Sequence, residues 1–232
     1  MQKRIFLAGA AGAVGRRLCQ LLVRDGWQVT GTTRSPEKAA VLCDLGVTPA
    51  IVDVYDEANL SRAVTDAAPE IVIHQLTDLP PGLDPLKMTE GVIRNTRIRE
   101  VGTRHLLAAA ANAGARRIVA QSIAFAYAPG PMPYDENSPL DPNARGVISL
   151  ERQVLEAPIE AVILRYGRFY GPGTGFEHER ESGKLHVDAA ADAARRAVTR
   201  GQGIYNIAEE DGEISSRKAE AELGWSAAFR IG

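Results

Sequence analysis

Short runs rich in apolar and β-branched residues alternate with longer amphipathic stretches along most of this chain. The short runs have the length of β-strands and lie at residues 5–8, 27–33, 48–52, 70–74, 117–122 and 204–207. The amphipathic stretches predict helices over residues 13–24, 36–45 and 56–67, and one long helix that ends near residue 114. Strands that alternate with helices are typical of a parallel sheet covered on both faces. The pattern therefore predicts an α/β fold, a doubly wound parallel sheet of six or seven strands that binds ligands at the strands' carboxyl ends.

The first strand leads directly into a loop with glycines at every third position, and a helix follows. Gly9 permits a tight turn, Gly12 lets the backbone approach a pyrophosphate, and Gly15 lets the helix pack closely. The N-terminus of that helix offers N–H groups and a positive dipole end to an anion. This context predicts a dinucleotide-binding loop, and the alternative is a glycine-rich turn that only packs. The predicted contacts to the cofactor from this loop are Gly9, Ala11, Gly12, Ala13, Val14 and Gly15.

The residues after the second strand indicate which dinucleotide would bind. A carboxylate there would accept the ribose hydroxyls of NAD, but this chain has Thr33 and Arg34 instead. The guanidinium of Arg34 suits a 2′-phosphate, so we expect NADP rather than NAD, and the alternative is a solvated loop arginine. Asp53, followed by Val54, stands where an adenine amino group would arrive, and it could equally be a carboxylate at a helix N-terminus.

Composition and charge exclude several classes of partner. Apolar residues make up 45% of the chain and charged residues 24%, as in ordinary globular proteins, and the net charge is −2. This charge gives no electrostatic case for nucleic acid or a membrane surface, so we expect a small-molecule substrate. The two cysteines and four histidines lack metal-ligand spacing. No signal-peptide pattern or long apolar run is present, and we expect a cytoplasmic protein without a metal.

Over nearly its whole length the chain resembles the short-chain dehydrogenase/reductase superfamily, in its extended or atypical branch of epimerase/dehydratase-like proteins. The matching segments are GAAGAVG at 9–15, Asp53-Val54, VIHQ at 72–75, RIVAQS at 117–122, LRYGRFYGPG at 164–173, HVDAAA at 186–191 and RKAEAELGW at 217–225. The resemblance implies a Rossmann fold. It also implies that the nicotinamide half of the cofactor lies beside Gln75, Leu76, Thr77 and Ser122, with Tyr166 and Gly167 close by.

The catalytic Tyr-x-x-x-Lys pair of that superfamily is missing. Its spacing puts both side chains on one helix face, where the lysine lowers the pKa of the tyrosine. No tyrosine of this chain is followed four residues later by lysine, and Gly146 and Leu150 stand at the expected positions. Ile123 replaces the serine that usually acts in the family. The remaining catalytic candidates are Ser122 and Tyr127, either of which could polarise a carbonyl group.

The carboxyl-terminal part is short for a substrate-binding lobe. Only residues 174–185 separate the Gly-Pro-Gly turn from the next matching segment. We expect a single domain over residues 1–232, in which residues 171–232 form a vestigial extension, and a pocket that is small, open or completed in a homodimer. Two functions remain: an NAD(P)-dependent oxidoreductase or epimerase/dehydratase-like enzyme acting on a small or sugar-derived substrate, or a noncatalytic NADP-binding redox sensor or scaffold.

Overall fold

Seven parallel strands form the central sheet of the computed structural model, which describes residues 3–178 and 182–232. In chain order they are β1 (Arg4–Ala8), β2 (Gln28–Thr33), β3 (Thr48–Ile51), β4 (Ile71–His74), β5 (Arg117–Ile123), β6 (Glu160–Tyr166) and β9 (Gly203–Ile207). Their order across the sheet is β3-β2-β1-β4-β5-β6-β9, and every neighbouring pair is parallel. The predicted doubly wound parallel sheet is confirmed. The strand order reverses between β1 and β4, which is where folds of this kind open a ligand crevice.

Helices cover both faces of the sheet because successive strand residues point to opposite sides. In β1, Ile5 and Leu7 join the core beneath α1 (Ala13–Arg24), α2 (Pro36–Asp44), α7 (Val187–Ala197) and α8 (Arg217–Leu223). Phe6 and Ala8 join the core beneath α3 (Glu57–Ala67), α5 (Thr103–Asn112) and α6 (Arg145–Glu156). Both faces of the sheet are therefore apolar, and a layer of helices packs against each face.

Local sequence fixes where the helices begin. The Ser35 hydroxyl accepts a hydrogen bond from the Lys38 N–H at 3.2 Å and caps α2, with Pro36 as its first residue. Asp56 caps α3 in the same way, accepting from the Asn59 N–H at 3.1 Å. The predicted bounds of the early strands and helices agree with the structure to within one or two residues.

The long helix predicted to end near residue 114 is interrupted. After two 3₁₀ turns, Pro81–Leu83 and Pro85–Lys87, α4 spans Met88–Arg97, a π-helical turn spans Ile98–Gly102, and α5 follows. A Cβ atom on Gly102 would lie 3.2 Å from Val54, so this turn packs closely against the loop after β3. Turns of this kind are frequent at functional sites.

The carboxyl-terminal residues pack onto the sheet. β7 (Arg168–Tyr170) and β8 (Lys184–His186) form a separate two-stranded parallel sheet. After α8, the indole N–H of Trp225 donates to the Ala189 carbonyl at 2.8 Å, and the buried ring joins the core shared by α1 and α7. No helix within the described part of the chain is long and apolar enough to cross a membrane.

Candidate functional site

A cavity of about 390 Å³ opens at the carboxyl ends of β1, β2 and β4. It lies where the strand order reverses, as expected for this fold. The predicted cofactor-binding residues that line it are Gly9, Ala11, Gly12, Thr33, Arg34, Asp53, Val54, Gln75, Leu76 and Thr77. The other predicted contacts, namely Ala13, Val14, Gly15, Ser122, Tyr166 and Gly167, do not line it. The structure therefore brings residues from the glycine loop, from the ends of β2 and β3, and from the segment after β4 together at one cavity.

The glycine loop is held in a conformation that side chains would disrupt. Gly9 has a φ of 88°, and a Cβ atom there would lie 2.5 Å from the Gln75 carbonyl oxygen. A Cβ atom on Gly15 would overlap the Gly9 carbonyl and lie 2.7 Å from that of Ala10, so this glycine lets α1 pack against the loop itself. Gly12 caps α1 without a side chain, and the first turn holds no acidic residue. The uncompensated N–H groups and dipole of α1 form a cradle suited to a diphosphate.

Two cationic side chains lie beyond the end of β2. Arg34 lines the cavity and forms a 3.4 Å ion pair with Asp78, while its side chain remains 56% exposed. Lys38, in the first turn of α2, lines the same cavity and pairs with no carboxylate of the described residues. Sequence reasoning missed Lys38. Its position three residues after the N-cap Ser35 could have placed it on the cavity side of the first turn.

The acidic residue after β3 faces the cavity rather than capping a helix. Asp53 lines the cavity, and its carboxylate accepts a hydrogen bond from the Tyr55 N–H at 2.9 Å. The N-cap of α3 is Asp56, three residues later. The buried Val54 lines the wall beside Asp53.

Gln75 supplies a buried acceptor that lacks a donor. Its amide nitrogen donates a long hydrogen bond of 3.4 Å to the Tyr166 hydroxyl, which itself donates to the Ala190 carbonyl at 3.2 Å. Its Oε1 has no partner among the described residues, although such atoms are normally paired. A ligand hydroxyl or amide in the adjoining cavity would satisfy this oxygen. This orphaned acceptor and the glycine cradle both fit a nicotinamide dinucleotide.

The two catalytic candidates are hydrogen-bonded inside the protein. Ser122 donates to the Glu151 carboxylate at 2.6 Å, and Arg165 donates to the same carboxylate at 2.9 and 2.7 Å. Tyr127 donates to the Asn206 side chain at 2.6 Å and accepts from Arg165 at 3.0 Å. Burial raises the pKa of Tyr127, which opposes formation of a phenolate. A catalytic role for Ser122 or Tyr127 stays a prediction.

The positions expected for the Tyr–Lys pair are occupied by packing residues. A Cβ atom on Gly146 would lie 3.1 Å from Thr96, and Leu150 is part of the buried core. Tyr166 is buried, which raises its pKa, and Gly167 lies so close to the Gly183 carbonyl that a Cβ atom would approach it to 2.5 Å. In residues 3–178 and 182–232, no three His, Cys, Asp or Glu side chains are grouped to hold a metal.

Comparison with known proteins gives a consistent result. Residues 5–207 match the model of the NAD-dependent epimerase/dehydratase family. A 3-diazoavenalumate denitrifying reductase from a Streptomyces species is 36% identical over 90% of this chain and 76% of that protein. The UDP-glucose 4-epimerase of Thermus thermophilus, solved with NAD, has a TM-score of 0.79 at 20% identity, covering 98% of this chain and 95% of that one. For the UDP-glucuronic acid 4-epimerase of Bacillus cereus, solved with UDP-glucuronic acid and NAD, the TM-score is 0.78 at 17% identity, covering 98% and 95%.

Proposed function

The chain belongs to the NAD-dependent epimerase/dehydratase family, and we propose that it is an NADP(H)-dependent reductase of a small organic substrate. The observation that carries the choice of cofactor is the pair of cations, Arg34 and Lys38, at the cavity end where a carboxylate would select NAD. The similarity to a reductase from Streptomyces supports the direction of the reaction.

Different residues along the cavity would hold different parts of the cofactor. The glycine loop and the start of α1 would bind the pyrophosphate, Asp53 would accept from the adenine amino group, and Gln75 would accept from the nicotinamide half. Arg34 would give a planar fork of donors to the 2′-phosphate, and Lys38 a point charge. The exposed pair between Arg34 and Asp78 is worth only about 0–1 kcal/mol, so the guanidinium is free to turn to a phosphate.

The missing Tyr–Lys pair limits the chemistry of the substrate. When bound, reduced NADP supplies a hydride, and a diazonium carbon would take that hydride as N₂ leaves, with atoms and charge balanced. Such a reduction requires no proton from a side chain, whereas carbonyl reduction does. The Streptomyces relative is named as a denitrifying reductase of a diazo compound, which supports an electrophile of this kind. The side chains then bind and orient the reactants.

The cofactor proposal is tested by equilibrium binding of NADPH and NADH, using calorimetry on the purified protein. We expect NADPH to bind at least about tenfold more tightly. Arg34→Gln and Lys38→Gln should each raise the Kd of NADPH about tenfold and leave that of NADH unchanged. Arg24→Gln, which removes an exposed charge at the far end of α1, is the matched control. Equal binding of both dinucleotides by the unaltered protein would refute the preference.

Turnover is tested by following NADPH oxidation with 3-diazoavenalumate, benzaldehyde and UDP-glucose. We expect consumption with the diazo compound, and its absence with all three would count against a reductase. Ser122→Ala and Tyr127→Phe should lower stability more than turnover, because both hydroxyls donate within the protein. A turnover loss of about tenfold at unchanged stability would instead support the catalytic role predicted from the sequence.

A further inference from the structure

Arg99 is a half-buried arginine without a partner for its guanidinium. It lies in the π-helical turn between α4 and α5, where Gln153 donates to its backbone carbonyl at 3.3 Å. Its side chain forms no hydrogen bond or ion pair with any residue in the described ranges. The buried arginines of the central sheet differ, because Arg117 and Arg165 each donate several hydrogen bonds to carboxylates and carbonyls. The five N–H donors of Arg99 are therefore available.

The groups around Arg99 do not neutralise it. Glu151 is near enough to favour its charge, but that carboxylate already accepts from Ser122 and Arg165. His74, at the end of β4, is also near, and burial together with the charge of Arg99 lowers its pKa to about 4, so it is neutral near pH 7. Burial lowers the pKa of Arg99 itself, since it disfavours the charged form of the guanidinium. A desolvated cation without a counterion is costly, and an anionic ligand would offset that cost.

Solvent still reaches the guanidinium. In the described residues, the buried side-chain atom without a partner is Gln75 Oε1, so each nitrogen of Arg99 retains some exposure. The preceding residue, Ile98, lines the dinucleotide cavity, whereas Arg99 does not. Arg99 is near enough to His74, at the end of β4, and to Glu151, which accepts from Ser122 on β5, for their charges to interact, so it lies near the carboxyl ends of these two strands. Arg99 therefore follows a residue that lines the cavity, and its own guanidinium keeps some exposure to solvent.

We propose that Arg99 binds a carboxylate group of the substrate. The planar fork of a guanidinium matches the two oxygens of a carboxylate and fixes the orientation of the molecule that carries it. This inference rests on the proposed function, since it assigns a substrate class, small organic acids, to the same crevice. Arg99 is thus a binding residue for the substrate, separate from the residues that select the cofactor.

The test measures equilibrium binding, which does not depend on turnover. Protein saturated with NADP⁺ is titrated by calorimetry with benzoate, phenylacetate and 4-hydroxycinnamate, and with the methyl ester of each. We expect at least one acid to bind about tenfold to a hundredfold more tightly than its ester, the effect of one charge-assisted bidentate contact. Arg99→Gln should abolish that preference, Arg99→Lys should retain part of it, and Arg104→Gln, an exposed arginine on α5, should keep it.

Three results would overturn the assignment. In the first, the unaltered protein shows no preference for any acid over its ester, and in the second, Arg99→Gln keeps the preference. In the third, Arg99→Gln weakens NADP⁺ binding about tenfold, which would place Arg99 in the cofactor site. Because no hydride is transferred in these titrations, an absence of NADPH oxidation would refute the reductase proposal and leave this result standing. Thermal unfolding of each variant verifies that it is folded.

Discussion

The buried ion pair between Glu151 and Arg165 should be among the most sensitive points of the fold. Both side chains are almost fully buried, with 5% and 4% exposed. Glu151 accepts three hydrogen bonds, one from Ser122 at 2.6 Å and two from Arg165 at 2.9 and 2.7 Å. Glu151→Gln keeps the shape of the side chain but removes its charge. Arg165 then stays buried without a counterion, with one amide oxygen of the glutamine, the Tyr127 hydroxyl and a long 3.3 Å contact to the Glu136 carbonyl as acceptors.

The expected cost follows from leaving one charge buried without its partner. Removing one member of such a pair destabilises a protein by about 3–5 kcal/mol. In a chain of this length each 1 kcal/mol lowers Tm by about 2–4 °C, so Glu151→Gln should lower it by roughly 6–20 °C. Arg116→Gln is the matched control, because Arg116 pairs with Glu70 at 3.6 Å with its side chain 58% exposed. That change should cost less than about 1 kcal/mol.

Urea unfolding of Glu151→Gln, of Arg165→Met and of the double variant measures the cost of each change and the interaction between the two side chains. The double variant leaves no unpaired charge, so it should be less destabilised than the sum of the two single changes. The reasoning fails if Glu151→Gln unfolds within about 1 kcal/mol of the unaltered protein, or if the single costs simply add. Either result would mean that water or another group solvates Arg165 in the folded chain.

Three further predictions concern the glycine loop, Gln75 and the buried His74 next to it in sequence. Gly15→Ala should lower Tm and abolish NADPH binding because its Cβ atom would overlap carbonyl groups of the loop. In Gly12→Ala the nearest contact of the new Cβ atom is 3.3 Å, so this variant should fold and bind NADPH more weakly than the unaltered protein. Thermal unfolding with and without NADPH compares the two variants. Gln75→Leu removes an unpaired buried acceptor, so the ligand-free protein should be equally or more stable in urea while NADPH affinity falls about tenfold by calorimetry. The pKa of His74 is lowered by burial, with Arg99 adding to the effect, from 6.5 to about 4. Between these pH values the unfolded chain binds the extra proton, so the stability of the folded protein falls as the pH drops. From pH 7 to pH 5, the free energy of unfolding measured with urea should fall by about 2 kcal/mol less in His74→Asn than in the unaltered protein.

Periodicity was sufficient to predict the sheet and the early helices. The alternation of Ile5 and Phe6 between the two cores, and the caps at Ser35 and Asp56, are local properties that the chain displays within a few residues. The glycine loop was equally local, since a strand, three spaced glycines and a helix are contiguous in sequence. The interruption of the long helix was not predictable in this way, because the close contact at Gly102 is made with Val54 on another element.

The candidate site was predictable only where its residues follow strands directly. Residues such as Asp53 and Gln75 follow strands that meet at one edge, and the structure places them at one cavity. The partner of Ser122 was not visible, because Glu151 lies 29 residues away and appears in sequence as an ordinary charge on an amphipathic helix. Arg99 was missed for the same reason. Its lack of a partner is a property of the folded surroundings and has no signature in the sequence.

Net charge conceals how cations are arranged along this crevice. The chain carries −2 overall, yet Arg34 and Lys38 border one end of the crevice, and Arg99 lies near the carboxyl ends of β4 and β5. No hydrogen-bonding or ion-pairing partner is shared between Arg99 and the other two within the residues that the structure describes. Energetic effects of residues without shared partners generally add. Cofactor choice and substrate choice should therefore be separable, so that Arg34→Gln changes the ratio of NADPH to NADH binding in an Arg99→Gln background as much as it does alone.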